Sequence, residues 1–301
     1  NLVTNSTWND FWLNEGFTVY FERRIMEAVY GKDYANMLAI LGWQDLQQTL
    51  EEFEATPNDT KLKLDLAGRN PDDGMSDIAY EKGYYFLRTI EENVGREKMD
   101  SFLKSHFTDH AFQTMTTEEF LQNLKRDLLN NSEEKYADLK IDKWVYEPGL
   151  PSNVVSVKSP LFGQVENQLD TFLISGNPST IDTTNWTTHQ WLHFLRKMPD
   201  TLSIAQMTAL DKAFGFTKTG NSEIAAEWFI LSIQNGYTQA DPAIEQFLIR
   251  VGRRKFLTPI YGALIKTDAG KQRALEIYAK ARPNYHSVSI NTLDEMLNYS
   301  M

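Results

Sequence analysis

Glu15 and Glu22 stand seven residues apart in the stretch WNDFWLNEGFTVYFE, Trp8 to Glu22. Seven residues are about two turns of an α-helix, so both carboxylates fall on nearly one face. Trp8, Phe11, Trp12 and Val19 recur around them at helical spacing, which predicts a helix here. A carboxylate among large apolar residues needs a cation, a metal or hydrogen-bond donors. Two aligned acids therefore point to a metal or polar site, or else to acids at the rim of the apolar stripe, solvated or paired with an arginine. Spacing alone leaves both readings open.

Other groups could do chemistry. His106 with His110, and His189 with His193, are each spaced i, i+4, which places each pair on one helix face where zinc could in principle bind. HQWLH even imitates H-E-x-x-H, but Gln190 stands where a general base is needed and cannot take a proton from water. Both pairs are read as helix-surface histidines. Gly252 to Phe256, GRRKF, is a basic cluster in an acidic chain and reads by itself as a solvated helix face. Tyr80, one of 13 tyrosines, reads by itself as a core or interface aromatic.

The elements that would position these residues are mainly helical. The first helix is expected to end near Gly31, and a second occupies about residues 34–53. Residues 57–77 are turn-rich, with apolar and polar residues alternating over 61–66 as in a short strand. Loops of this length inside a compact domain tend to be functional. Helices are expected again over 79–95, 98–106 and 118–129, the last opened by the capping-box pattern Thr116-Thr-Glu-Glu119. WVYEPGLPSNVV, Trp144 to Val155, is rich in Pro and Gly and reads as an interdomain connection. Beyond it, helical patterns alternate with brief turns, and caps are expected at Thr187 with Gln190, at Asp241 before Pro242, and at Asn291. Two regions result, 1–150 and 151–301, the second an α-solenoid-like helical domain.

At 301 residues the chain is long enough for two cores, and 42% hydrophobic with 24% charged residues is ordinary for a globular protein. A net charge of −11 argues against a nucleic-acid partner, whose binding needs clustered Lys and Arg. No apolar run is long enough to span a bilayer. The absence of cysteine excludes disulfides, thiolate metal sites and a cysteine nucleophile. Four N-glycosylation acceptor patterns, at Asn5, Asn58, Asn130 and Asn185, are too short to carry weight.

NLVTNSTWNDFWLNEG at the start, YEKG at Tyr80 to Gly83, WVYEPGLP at 144–151 and GRRKF at 252–256 occur in the order found in the M1 family of zinc aminopeptidases, and the chain resembles its leukotriene A4 hydrolase-like branch. The resemblance implies the C-terminal part of a thermolysin-like metallopeptidase domain followed by the helical domain. It implies that Glu15 is the third ligand of one Zn2+, with the H-E-x-x-H helix supplied by an upstream part of the same protein. Tyr80 is expected to donate a hydrogen bond to the oxyanion of the tetrahedral intermediate. Glu22 is assigned to support of a ligand histidine or the substrate amine, and Asp72 matches a substrate-binding acid eight residues before the Tyr. Arg253 and Lys255 match a pair that holds a substrate carboxylate, which favours short peptides. Met75 replaces a tyrosine used in lipid-epoxide chemistry, so the expected activity is aminopeptidase. The alternatives are a bifunctional epoxide hydrolase and aminopeptidase, or a helical scaffold that has lost the metal. The expected compartment is the cytoplasm, with a periplasmic or secreted location left open.

Overall fold

The computed structural model describes residues 2–299. The chain divides into two compact units, Asn1–Ser159 and Pro160–Met301.

The first unit opens with β1 (Val3–Asn5) and a single 3-10 turn over Trp8–Asp10, so the expected helix begins later than Trp8, with α1 at Trp12–Tyr30. Gly31 ends it at φ 90°, a conformation a residue with a Cβ adopts at a cost, and its N–H closes on the Glu27 carbonyl at 3.0 Å. α2 (Lys32–Glu52) returns along α1. After two 3-10 turns, Pro57–Thr60 and Pro71–Gly74, a π-helical turn over Ile78–Lys82 leads directly into α3 (Gly83–Val94). Then come α4 (Arg96–Asp109), β2 (Gln113–Met115), α5 (Thr117–Asn123), α6 (Glu133–Asp138) and α7 (Ile141–Tyr146). β1 and β2 pair in parallel, Val3 opposite Gln113. The capping box at the start of α5 forms as expected, Glu119 accepting from the Thr116 N–H at 2.8 Å. The helix expected over 118–129 forms as α5 continued without a gap by a second π turn, Leu124–Leu128.

No strand forms at 61–66. Leu62, Leu64 and Leu66 are buried while Asp65 is exposed, so the alternation is real. The backbone of this segment is satisfied by single bonds instead: Lys63 N–H to the Val145 carbonyl at 3.0 Å, and Leu66 N–H to the Asn9 side chain at 2.9 Å. Period-two burial here reports a chain laid over a core.

A buried acid ties the opening of α1 to α5. The Asp10 carboxylate accepts from Lys63 Nζ at 2.5 Å, from Thr7 Oγ1 at 2.7 Å, and from the Thr117 hydroxyl and N–H at 2.8 and 2.9 Å. Trp12, the first residue of α1 and almost wholly buried, donates its indole N–H to the same Thr117 hydroxyl at 3.0 Å. Burial pushes the Asp10 pKa up, but these donors outweigh it and hold the carboxyl below its usual value.

The second unit is helical: α8 (Pro160–Ser175), α9 (Thr188–Arg196), α10 (Ile204–Phe214), α11 (Ser222–Gln234), α12 (Asp241–Arg250), α13 (Arg254–Leu264), α14 (Asp268–Ala281) and α15 (Ser287–Leu297). α9 packs on α11, α11 on α13 and α13 on α15, with α12 on α14, the alternating contacts of stacked helical hairpins. Gln190 accepts from the Thr187 N–H at 3.0 Å, as the capping pattern predicts. Asn291 is not a cap: α15 starts a turn earlier, where the His286 ring accepts from the Val288 N–H at 3.3 Å. The fold is therefore mainly α, with β structure among the described residues limited to one two-stranded sheet.

Candidate active site

Glu15 and Tyr80 face each other because two glycines let their helices touch. Gly16, next to Glu15, lies against Gly83 so closely that a Cβ on either would sit 2.9 Å from the other's Cα. A Cβ on Gly16 would also meet the Ala79 carbonyl oxygen at 3.3 Å. α1 is thus pressed against the π turn and the first residue of α3, and the side chains flanking the contact converge.

Both converging groups are half-buried, and neither makes a side-chain hydrogen bond or ion pair among the described residues. Burial raises the Glu15 pKa. Burial, and then the neighbouring Glu15 and Asp77 carboxylates, raise that of Tyr80. The Tyr80 phenol therefore stays protonated, as a donor must. Its ring is fixed edge-on to Phe11, centroids 6.1 Å apart. An unpaired, partly desolvated carboxylate beside an unpaired hydroxyl is an unusual use of interior space, and it fits one ligand of a cation with one donor beside it. No group of three or more His, Cys, Asp or Glu residues that could hold a metal occurs among the described residues.

The rest of α1 supports the arrangement. Glu22 lies about two turns on from Glu15 and is exposed. Phe21, Ile25 and Val29 are exposed on the same helix. Arg23, pointing inward, forms a buried pair with Glu81, Nη2 donating to Oε1 and Nη1 lying by Oε2, each at 2.8 Å, and its guanidinium stacks 4.0 Å above the Tyr84 ring. Gly42 on α2 makes room for this pair, since a Cβ there would fall 2.1 Å from Glu81 Oε2 and 2.4 Å from Arg23 Nη2. Lys82, fully buried, donates to the Thr60 and Glu147 carbonyls at 2.7 and 3.1 Å. Gly16, Arg23, Gly42, Glu81, Lys82 and Gly83 carry no signal in periodicity. The only trace is the repetition of small residues, the Gly of NEG and the Gly of YEKG.

Asp72 is half-buried in the 3-10 turn Pro71–Gly74, its N–H capped by Asn70 at 3.1 Å, and Met75 follows it. Arg253 and Lys255 belong to the second unit, at the start of α13. Both are exposed; Lys255 pairs with Glu223 at 2.8 Å, and Arg253 lies over the Phe256 ring.

Two histidines expected at helix surfaces are core residues. His106 is packed among Phe17, Phe102, Phe107 and Phe120, and burial, aided by His110, drives its pKa down to about 4. His193 is buried and stacked on Phe162 at 3.9 Å, with its Nε2 2.9 Å from Glu166. Helical spacing put each pair on one face, but His106 and His193 are buried in part by rings from other elements, Phe17 of α1 and Phe162 of α8.

Known proteins similar to this chain identify its family. Residues 1–144 match the Peptidase family M1 domain, and residues 186–297 match the domain described as Leukotriene A4 hydrolase, C-terminal. The chain belongs to the M1 peptidase family. Leucine aminopeptidase 2 of Ajellomyces capsulatus is 32% identical over 296 residues, 96% of this chain and 47% of the relative. That of Neosartorya fischeri is 34% identical over 298 residues, 96% of this chain and 48% of the relative. The chain thus spans about half the length of the curated relatives it matches. The solved structure of yeast LTA4 hydrolase in complex with Bestatin is similar at a TM-score of 0.88 and 27% identity, over 99% of this chain and 52% of that one. Within the M1 family, the chain is of the leukotriene A4 hydrolase-like branch.

Proposed function

We propose that the complete protein is a zinc-dependent aminopeptidase that releases N-terminal residues from short peptides. The observation that carries this reading is the pairing of Glu15 and Tyr80, a carboxylate without a cation and a protonated phenol without an acceptor, held together by the Gly16–Gly83 contact. Glu15 would hold the zinc together with two histidines from a part of the protein outside these 301 residues. When bound, the metal supplies Lewis acidity toward the scissile carbonyl and a water of lowered pKa.

The general base would come from the same upstream helix as the two histidines, and further roles fall to this chain's residues. The Tyr80 hydroxyl donates to the carbonyl oxygen as it gains negative charge, and because that oxygen is a stronger acceptor than the ground-state carbonyl, the bond favours the transition state. Glu22, on the exposed face of α1, orients a ligand histidine or receives the substrate's amino group. Asp72 is a further acid for substrate binding. Arg253 and Lys255 take a substrate's free carboxylate, Arg253 through its planar fork. The leucine aminopeptidase names of the relatives support peptide substrates. At the position of Met75 there is no hydroxyl for epoxide chemistry.

The deciding experiment is zinc per chain in the complete protein, wild type against Glu15→Ala, with turnover of an aminoacyl anilide measured in parallel. Near-stoichiometric zinc that is lost in the variant supports the reading. Zinc retained in Glu15→Ala, or zinc in neither protein, overturns it in favour of a scaffold.

A further inference from the structure

The π turn that carries Tyr80 is an irregular piece of helix, five residues long, between the 3-10 turn at Pro71–Gly74 and α3. Such turns give up regular i→i+4 bonding, and they persist where surrounding structure holds them. The residues after Tyr80 tie the turn to several segments of the first unit. Glu81 goes to Arg23 on α1, in the space left by Gly42 on α2. Gly83 rests on Gly16. Lys82 connects segments distant in sequence, the end of the turn Pro57–Thr60 and the residue following α7, through their main-chain carbonyls. The same Thr60 accepts the Gly149 N–H on its hydroxyl at 2.8 Å, so the Lys82 amine sits at the point where these two segments meet.

A buried amine is an expensive way to fill a core: an apolar side chain of similar length would spare its desolvation. What an apolar chain cannot do is bond two carbonyls from separate segments and so fix the rotation of the turn about its own axis. We infer that Lys82 is a positioning residue, which, by joining the Thr60 and Glu147 carbonyls, holds the turn 78–82 in register and so aims the Tyr80 hydroxyl at the space beside Glu15. Its effect on catalysis rests on the proposed peptidase activity. Its effect on Tyr80 does not.

The test uses the complete protein with 3-fluorotyrosine placed at position 80, as wild type, Lys82→Met and Lys82→Gln. The Met variant keeps length and apolar bulk without donors; the Gln variant retains N–H donors on a shorter stem. Two readouts are taken: the phenol pKa at position 80 by fluorine NMR in zinc-free protein, and kcat and KM on an aminoacyl anilide. In Lys82→Met, the phenol pKa is expected to fall toward that of free tyrosine as the hydroxyl leaves its half-buried place beside Glu15 and Asp77. kcat is expected to drop about tenfold to a hundredfold, with KM and zinc content within about twofold of wild type, as a misaimed group of the transition state requires. Lys82→Gln should lie between the two. An unchanged phenol pKa and kcat in folded Lys82→Met overturns the inference and leaves Lys82 a structural residue. If the Met variant does not fold, Lys82→Gln decides by the same criteria. If the wild type hydrolyses no anilide, the peptidase reading fails, and the phenol pKa alone still decides whether Lys82 aims Tyr80.

Discussion

Replacing Gly83 with alanine should damage the site far more than the fold. The added Cβ would lie 2.9 Å from the Gly16 Cα, whereas carbon atoms rest at about 3.5–4.0 Å, so the helices must part by about 0.6–1 Å. The Gly16 Cα is main chain and the Cβ position is fixed by the Gly83 backbone, so neither can rotate out of the way. Overpacking of this kind costs about 1–3 kcal/mol, offset by about 1 kcal/mol of helix propensity gained by alanine. The net loss of about 0–2 kcal/mol would lower the melting temperature of a unit this size by no more than about 8 °C. The same displacement acts directly on the Glu15–Tyr80 separation, and a misplacement near 1 Å can cost on the order of a hundredfold in rate. Expected for Gly83→Ala in the complete protein, then, is a fall of about a hundredfold in kcat/KM on an aminoacyl anilide with a cooperative melt close to wild type. Gly16→Ala, which also crowds the Ala79 carbonyl oxygen at 3.3 Å, should do at least as much. Activity within about threefold of wild type in a folded Gly83→Ala protein would refute the claim that this contact sets the site.

Tyr80→Phe should reduce kcat by about a hundredfold and leave thermal stability unchanged, because the hydroxyl has no partner to lose among the described residues; a clear drop in melting temperature would show an overlooked structural bond. Gly42→Ala drives a Cβ into the Arg23–Glu81 pair, and separating a buried pair costs about 3–5 kcal/mol, so chemical denaturation should show a larger loss than for Gly83→Ala. Asp10 has a depressed folded pKa, so its contribution is present above the unfolded value near 3.8 and is lost as pH falls through the folded value; Asp10→Asn should be less stable at neutral pH and show a flatter decline below pH 4 in urea titrations. Lys82 is a base with a depressed folded pKa, brought by burial to about 7 from 10.5 against the opposing pull of Glu147 and with the help of Lys61. Between those values the unfolded chain holds the extra proton, so stability rises with pH across the window, and Lys82→Met should remove that rise in denaturant midpoints measured from pH 7 to 10.

The helical character of the chain was legible because apolar residues recur at three and four along α1 and α2, and because capping residues such as Thr116 and Thr187 mark helix starts. The end of α1 was legible in Gly31. The segment 61–66 was misread because alternation reports which residues are buried and says nothing about whether a neighbouring strand exists to bond. His106 and His193 were misread for a related reason: spacing assigns a shared face, and only packing decides which way that face looks. Glu15 and Tyr80 entered through short motifs. What brings them together could not be read from those motifs, since a glycine contact between residues 16 and 83, a cradle at Gly42 and a lysine bonded to two distant carbonyls exist only once the chain is folded.

The π turn at Ile78–Lys82 bears on how such a site can change over generations. A π turn holds one residue more than an α-helical path of the same span, and here it opens the helix that continues as α3. Loss of Glu81 or Lys82 would shorten the path from Tyr80 to α3, and since each residue turns the helix by about 100°, Tyr80 would swing away from Glu15 while Gly83 kept its seat on Gly16. Point substitutions can remove a group from the site or shift it, but changing the length of the turn itself takes a one-codon insertion or deletion. Descendants of this chain should therefore fall into two discrete classes at this turn, with no gradual series between them.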